Sequence, residues 1–437
     1  MRRFVQDEAV SSIVLFVATV AALLLANTRY AETYFAVVEL PIRVAAGHLQ
    51  LEFHLRSLVN EGLMTLFFLV IGLEIKRELL VGELRDSRLA FTVLAAALGG
   101  MAAPAAIYFF ANRQEPTLVG WGIPMATDTA FALGMLLLLG HRMPAGLKAF
   151  LVAYAIIDDL GAMTVIALFY SHSLGSGSLG AAGLCVLALI ICNLAGLRHI
   201  SIYLLLGVLL WLELVNAGVH GTLAGVLVAA AVPARPKHGR RWFLRTARQI
   251  TNHLERLHDD RRDVGILGDP EQHAAVEAAE QVSRLAATPL RRWERSLERP
   301  VLLLVLPVFA LFNAGIHIDS GLLQAVVSSP VSWGIVAGLL LGKVTGIGLL
   351  SWLAVKSSLG RLPAGVGMRH VLGVGLLGGM GFTMSIFIAG LSFSSPEQLD
   401  TAKAAILSAS ALAGIGGYLW LRFLTTAEPH AQLNKSL

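Results

Sequence analysis

Twelve apolar runs constrain what this chain can fold into. A helix that crosses a bilayer needs about 20 mostly apolar residues. Runs of that kind lie near 12–28, 58–75, 90–111, 120–140, 147–170, 178–196, 200–215, 218–232, 300–317, 330–355, 366–391 and 401–424. The sequence therefore predicts an all-α polytopic membrane protein with about twelve transmembrane helices. Its charges agree: they make up 14% of the residues, against roughly 25% in a soluble domain. Residues 233–299 hold 24 of the 63 charges, which marks one polar insert in an otherwise apolar chain.

The net charge of +5 needs no nucleic-acid partner, because membrane proteins collect Lys and Arg in their cytoplasmic loops. With the N-terminus placed inside and the spans alternating, the inner segments hold 28 of the 34 Lys and Arg and the outer segments five. Without 233–299 the ratio is still 14 to 5. The expectation is an inner-membrane protein with both termini cytoplasmic. The first run follows Arg2 and Arg3, but it is long for the apolar part of a leader and no small-x-small site follows it. It is expected to be a span. Cys185 and Cys192 are the only cysteines and lie too far apart along one helix to bridge.

Outer segment 41–54 alternates around Gly47, as in "HLQLEFHL", and reads as a short β-hairpin. An isolated hairpin is marginal in water, so pairing with a second copy, giving a homodimer through 41–54, is the expectation. The insert 233–299 reads as a cytoplasmic linker with some helix. "HDDRRD" at 258–263 reads as a solvated charge run rather than a metal site.

Four ionisable residues fall at mid-membrane depth: Asp128 in "MATDTAFALG", Asp158 and Asp159 in "AIIDDLGAM", and Lys343 in "LLLGKVTGI". Each costs at least about 2.5–3.5 kcal/mol there, so such groups face water-filled cavities or one another. One Asp with one Lys would suit a structural ion pair. Three acids against one base leave an excess that protons or a metal cation must balance. Adjacent helical residues point about 100° apart, so one of Asp158 and Asp159 can meet Lys343 while the other lines a cavity. Two spans also carry helix breakers at mid-depth. Pro124 precedes Thr127 and Asp128, and "GVGLLGGMGFTMS" has glycines at 373, 375, 378, 379 and 381 beside Thr383 and Ser385. Interrupted spans expose carbonyls and helix ends that bind ions.

These motifs, with "GLEIKREL" (72–79), "GVHGTLAGV" (218–226) and "GLLGGMGFTMSIFIAGL" (375–391), resemble the NhaA-type Na⁺/H⁺ antiporters of bacteria, in order and over nearly all twelve spans. That family is itself a type example of inverted repeats with broken helices. The resemblance implies an inverted repeat of spans 3–5 and 10–12, whose discontinuous helices, here 120–140 and 366–391, cross. It implies Na⁺ or Li⁺ bound at Asp158 and Asp159 near Thr127, Asp128 offsetting helix-end dipoles, and Lys343 pairing with Asp158. It also implies pH sensing at Glu74, Arg77 and Glu78 after span 2, at Arg291 and Glu294 before span 9, and at His220. Arg291 stands where lysine is expected, and Arg295 and Glu298 where histidines are expected, which bears on the pH set-point rather than on transport. No cofactor is implied beyond the transported Na⁺, Li⁺ and H⁺.

The chemistry expected is competition. A carboxylate in a poorly hydrated cavity is protonated more readily than in water, and hard cations prefer oxygen ligands, so Na⁺ and H⁺ contend for the same oxygens. Two protons entering per Na⁺ leaving would move net charge. An intramembrane aspartyl protease needs two acids facing one another, which neighbours on one helix are not. A symporter of organic anions would need cationic substrate contacts beyond Lys343, and a permanently open channel does not suit a buried acid–base pair.

Overall fold

The computed structural model describes residues 2–46, 49–82, 86–113, 116–170, 176–236, 239–260 and 270–433. Among these, nine helices are long and apolar enough to cross a membrane, ten if one pair bent by 47° counts as a single span. In chain order they are α1 (Arg2–Ala26), α2 (Leu55–Val81), α3 (Ser87–Asn112), a 3₁₀ stretch Pro116–Met125 leading to α4 (Thr129–Leu138), α5 (Ala145–Phe169) and α6 (Ser176–Leu194). Shorter apolar helices α7 (Ile200–Asn216) and α8 (Thr222–Ala231) follow. Polar α9 (Arg240–Asp260) and α10 (Pro270–Ala286) lead to α11 (Pro289–Asn313), α12 (Pro330–Lys356), the bent pair α13 (Met368–Gly378) and α14 (Phe382–Ser392), and α15 (Pro396–Leu433).

Helix α8 is shorter than the run 218–232. Ten residues rise only about 15 Å. Gly218, at φ +77°, turns the chain before it. At its far end Pro233 forces the preceding residue out of the helical region, and Val232 sits at φ −59°, ψ 133°. Segment 41–54 forms an antiparallel ribbon of β1 (Pro41–Ala46) and β2 (Leu49–His54), with Ile42 opposite Phe53 and Val44 opposite Leu51. Of the insert, α9 and α10 lie against one another; residues 261–263 of "HDDRRD" lie outside the described residues.

Both spans that carry breakers are interrupted where the breakers lie. The first changes from 3₁₀ to α-helix across residues 126–128, and the second breaks at 379–381. The breaks meet. Asp128 N donates to the Met380 carbonyl at 2.6 Å. Thr127 Oγ1 donates to the Gly378 carbonyl at 2.9 Å, and Ser385 Oγ to that of Ile123 at 2.7 Å. Backbone groups released by each interruption are thus taken up by the other, as an apolar surrounding requires. Helix α12 is seated against α3 with equal closeness. A Cβ on Gly346 would lie 2.0 Å from the Gly99 carbonyl oxygen, and one on Gly99 would lie 2.1 Å from that of Gly346. Only glycine permits this approach, and it fixes the depth at which α12 carries Lys343.

Candidate cation site

Helix α5 presents two acids in two directions. Asp158 is fully buried, and both its carboxylate oxygens lie 3.0 Å from Lys343 Nζ. Tyr154, one turn earlier on the same face, donates to Asp158 Oδ1 at 3.2 Å. Lys343 Nζ also reaches Tyr154 Oη at 3.0 Å, Thr127 Oγ1 at 2.9 Å and the Met125 carbonyl. The ammonium is therefore held by a carboxylate, by the Tyr154 hydroxyl and by two oxygens of the interrupted helix, which is what a buried charge needs to persist.

Asp159 faces away from Lys343 and into a funnel of about 460 Å³. Thr129 Oγ1, in the first turn of α4, donates to Asp159 Oδ2 at 3.3 Å. Asp128 lines the same funnel, but its oxygens are occupied. It caps α4 by accepting from Phe131 N at 3.2 Å. It also accepts from Thr383 N at 3.0 Å and Thr383 Oγ1 at 2.6 Å, in the first turn of α14. One carboxylate thus sits at the amino ends of two half-helices, where the dipoles favour negative charge.

Thr127 borders the funnel, but its hydroxyl is engaged with Lys343, the Gly378 carbonyl and Tyr154 Oη, the last at 3.2 Å. Tyr154 and Thr129 were not singled out from sequence. Each had a signal: Tyr154 stands four residues before Asp158, and Thr129 follows Asp128 at the predicted break.

The funnel opens at the end of the bundle that carries the start of α11. Glu74, Arg77, Glu78, Lys148 and Glu298 line it there. Arg77 bridges Glu294 at 2.9 Å, Glu74 at 3.3 Å and Glu78 at 3.8 Å, and Arg291 lies 3.6 Å from Glu294. The motif in the last turns of α2 and the motif opening α11 therefore form one charged cluster. His220 sits elsewhere, in the turn before α8. Its ring nitrogens lie 3.3 Å from Glu61 Oε1 and 2.7 Å from the Tyr170 carbonyl, and Glu61 Oε2 accepts from Gly221 N at 2.7 Å. Further along α5 from Asp159, Ala162, Met163 and Ile166 belong to a buried apolar cluster with Phe68 and Phe387, whose ring centroids are 5.8 Å apart.

Comparison with known proteins points the same way. The family model described as Na⁺/H⁺ antiporter 1 matches residues 2–421. The chain is 44% identical over 423 residues to a Na⁺/H⁺ antiporter NhaA 1 of Saccharophagus degradans, covering 97% of this chain and 91% of that one. It is 45% identical over 432 residues to a Na⁺/H⁺ antiporter NhaA of Syntrophobacter fumaroxidans, covering 98% and 91%. With that of Oleidesulfovibrio alaskensis it shares 45% over 425 residues, covering 97% and 93%. By a match that spans the bundle, both broken helices and Asp128, Asp158, Asp159 and Lys343, this chain belongs to the Na⁺/H⁺ antiporter 1 family.

Proposed function

We propose that this antiporter exports Na⁺ or Li⁺ from the cytoplasm in exchange for external protons, and that Asp159 is where the two compete. The observation that carries the reading is the unequal treatment of two adjacent acids. Asp158 is neutralised by Lys343, while Asp159, among the described residues, has a single hydroxyl donor and lines the funnel. Na⁺ entering from the funnel displaces a proton from Asp159. The apolar layer around Phe68 and Phe387 separates the site from the opposite side until the bundle rearranges. A second proton, carried by the Asp158–Lys343 pair, makes the exchange electrogenic.

By the Lys and Arg bias the funnel mouth faces the cytoplasm, with both termini on that side. Residues 87–169 and 330–433 form the two arms of the inverted repeat. The Arg77 cluster with Glu74, Glu78, Arg291 and Glu294 guards the mouth and adjusts access with pH, and His220 responds from the outer side. The β1–β2 ribbon joins two copies into a homodimer.

Everted membrane vesicles carrying the protein provide the test. Addition of Na⁺ or Li⁺, but not K⁺ or choline, should dissipate a preformed ΔpH, and Asp159→Asn should abolish the response while the protein remains inserted. Normal exchange in Asp159→Asn would move the site elsewhere.

A further inference from the structure

We propose that Thr129, rather than Thr127, supplies the hydroxyl ligand to the transported cation in this chain. The inference rests on Asp159 being the cation carboxylate. Both threonines flank Asp128 at the break before α4, but their hydroxyls do opposite things. Thr127 Oγ1 receives the Lys343 ammonium and gives its proton to the Gly378 carbonyl. A cation placed against it would lie beside that ammonium, and the two positive charges repel. Thr129 Oγ1 donates only to Asp159, and among the described residues nothing donates to it. Its lone pairs are open to the funnel that it lines.

The spacing suits shared coordination. Hard cations of calcium's size hold oxygen ligands at about 2.3–2.6 Å, so two ligands at right angles stand about 3.3–3.7 Å apart. Thr129 Oγ1 and Asp159 Oδ2 are 3.3 Å apart. A cation between them takes one oxygen from each, and the hydroxyl proton rotates away to the solvent in the funnel. When the cation leaves, the same hydroxyl returns to Asp159 Oδ2, so the site is closed on itself between loads. Asp128 makes this location tenable. It offsets the positive end of α4, which would otherwise repel a cation at the first helical turn.

Thr129→Val removes the hydroxyl at nearly constant shape, Thr129→Ser keeps it, and Thr129→Ala tests the same loss if valine does not fold. Apparent Na⁺ affinity would be read by ΔpH dissipation in everted vesicles and by calorimetric Na⁺ binding to purified protein. Thr129→Val or Thr129→Ala should weaken affinity roughly tenfold, the scale of a polar contact with a charged group, with turnover at saturating Na⁺ largely kept. Thr129→Ser should stay within about twofold of the parent on the same scale. Parental affinity in both hydroxyl-free variants would overturn the assignment, as would a fall in turnover with affinity unchanged, which marks a packing role. Asp159→Asn separates the two levels. If it still exchanges Na⁺, the carboxylate assignment fails. If it is silent while Thr129→Val binds normally, only the hydroxyl assignment fails.

Discussion

Lys343 Nζ stands 3.0 Å from each oxygen of Asp158, with both side chains wholly buried. The pair divides α5 into a locked face and an open one: whatever Lys343 satisfies at Asp158 it withholds from Asp159. Breaking such a pair strands a charge in an apolar interior, which costs about 3–5 kcal/mol. Lys343→Ala should therefore lower the melting temperature in detergent markedly. The double variant Lys343→Ala/Asp158→Asn should recover most of the loss, since no unpaired charge remains. A double variant as unstable as the single would locate the damage in packing around Tyr154 rather than in charge.

Asp128 ties the two half-helices together with three accepted hydrogen bonds. Asp128→Ala leaves those donors unpaired, at about 1–3 kcal/mol for each buried group that finds no substitute. Asp128→Asn keeps one acceptor oxygen and should fall between the parent and alanine. Thermal unfolding of the three proteins should rank in that order. Equal stability of the alanine and asparagine variants would mean that charge at the helix ends, not acceptor count, decides the contribution.

The contact of Gly99 with Gly346 holds α12 against α3 with no room for a methyl group. Overpacking of this kind costs about 1–3 kcal/mol, and here it would also displace Lys343, three residues before Gly346. Gly346→Ala should lose both stability and exchange, whereas Gly390→Ala, where an added Cβ meets nothing within 4 Å, should lose neither. Melting curves and vesicle ΔpH assays check both halves.

Much of this site could be read from the chain because its parts are expensive in lipid. Carboxylates, a lysine and clustered glycines inside apolar runs have few reasons to be there, so Asp128, Asp158, Asp159, Lys343 and the two breaks stood out. What escaped the sequence is chemically ordinary. A tyrosine or a threonine in a membrane helix is usually a packing residue, and only the three-dimensional placement turns Tyr154 toward the ion pair and Thr129 toward Asp159. The opposite error was available too. Thr127 and Thr129 are equivalent by spacing from Asp128, and their different roles depend on how the extended segment 126–128 rotates between the 3₁₀ stretch and α4. Glu61 was invisible for another reason: its partners, His220 and Gly221, lie about 160 residues away.

The remaining prediction concerns protons. Three acids and one lysine lie at the centre of this bundle, and the structure sorts them. Asp158 is balanced by Lys343 and Asp128 by three donors, two of them backbone N–H groups at helix amino ends. Among the described residues Asp159 accepts one hydrogen bond, from a hydroxyl, and forms no salt bridge. If Na⁺ and H⁺ compete at Asp159 as proposed, a proton supplies the balancing charge when no cation is bound, and Na⁺ binding expels it. The sign follows: while Asp159 is protonated, each unit of rising pH should strengthen apparent Na⁺ affinity about tenfold, the slope for one competing proton. Once it is ionised the affinity should level off. Calorimetry in buffers of different ionisation enthalpy counts the protons directly, and about one per Na⁺ is expected on the acid side, falling toward zero on the plateau. Asp159→Asn should bind no Na⁺ and release none. Na⁺ binding without proton release at any pH would mean that the two ions do not share Asp159, and exchange would then have to be coupled through the Asp158–Lys343 pair alone.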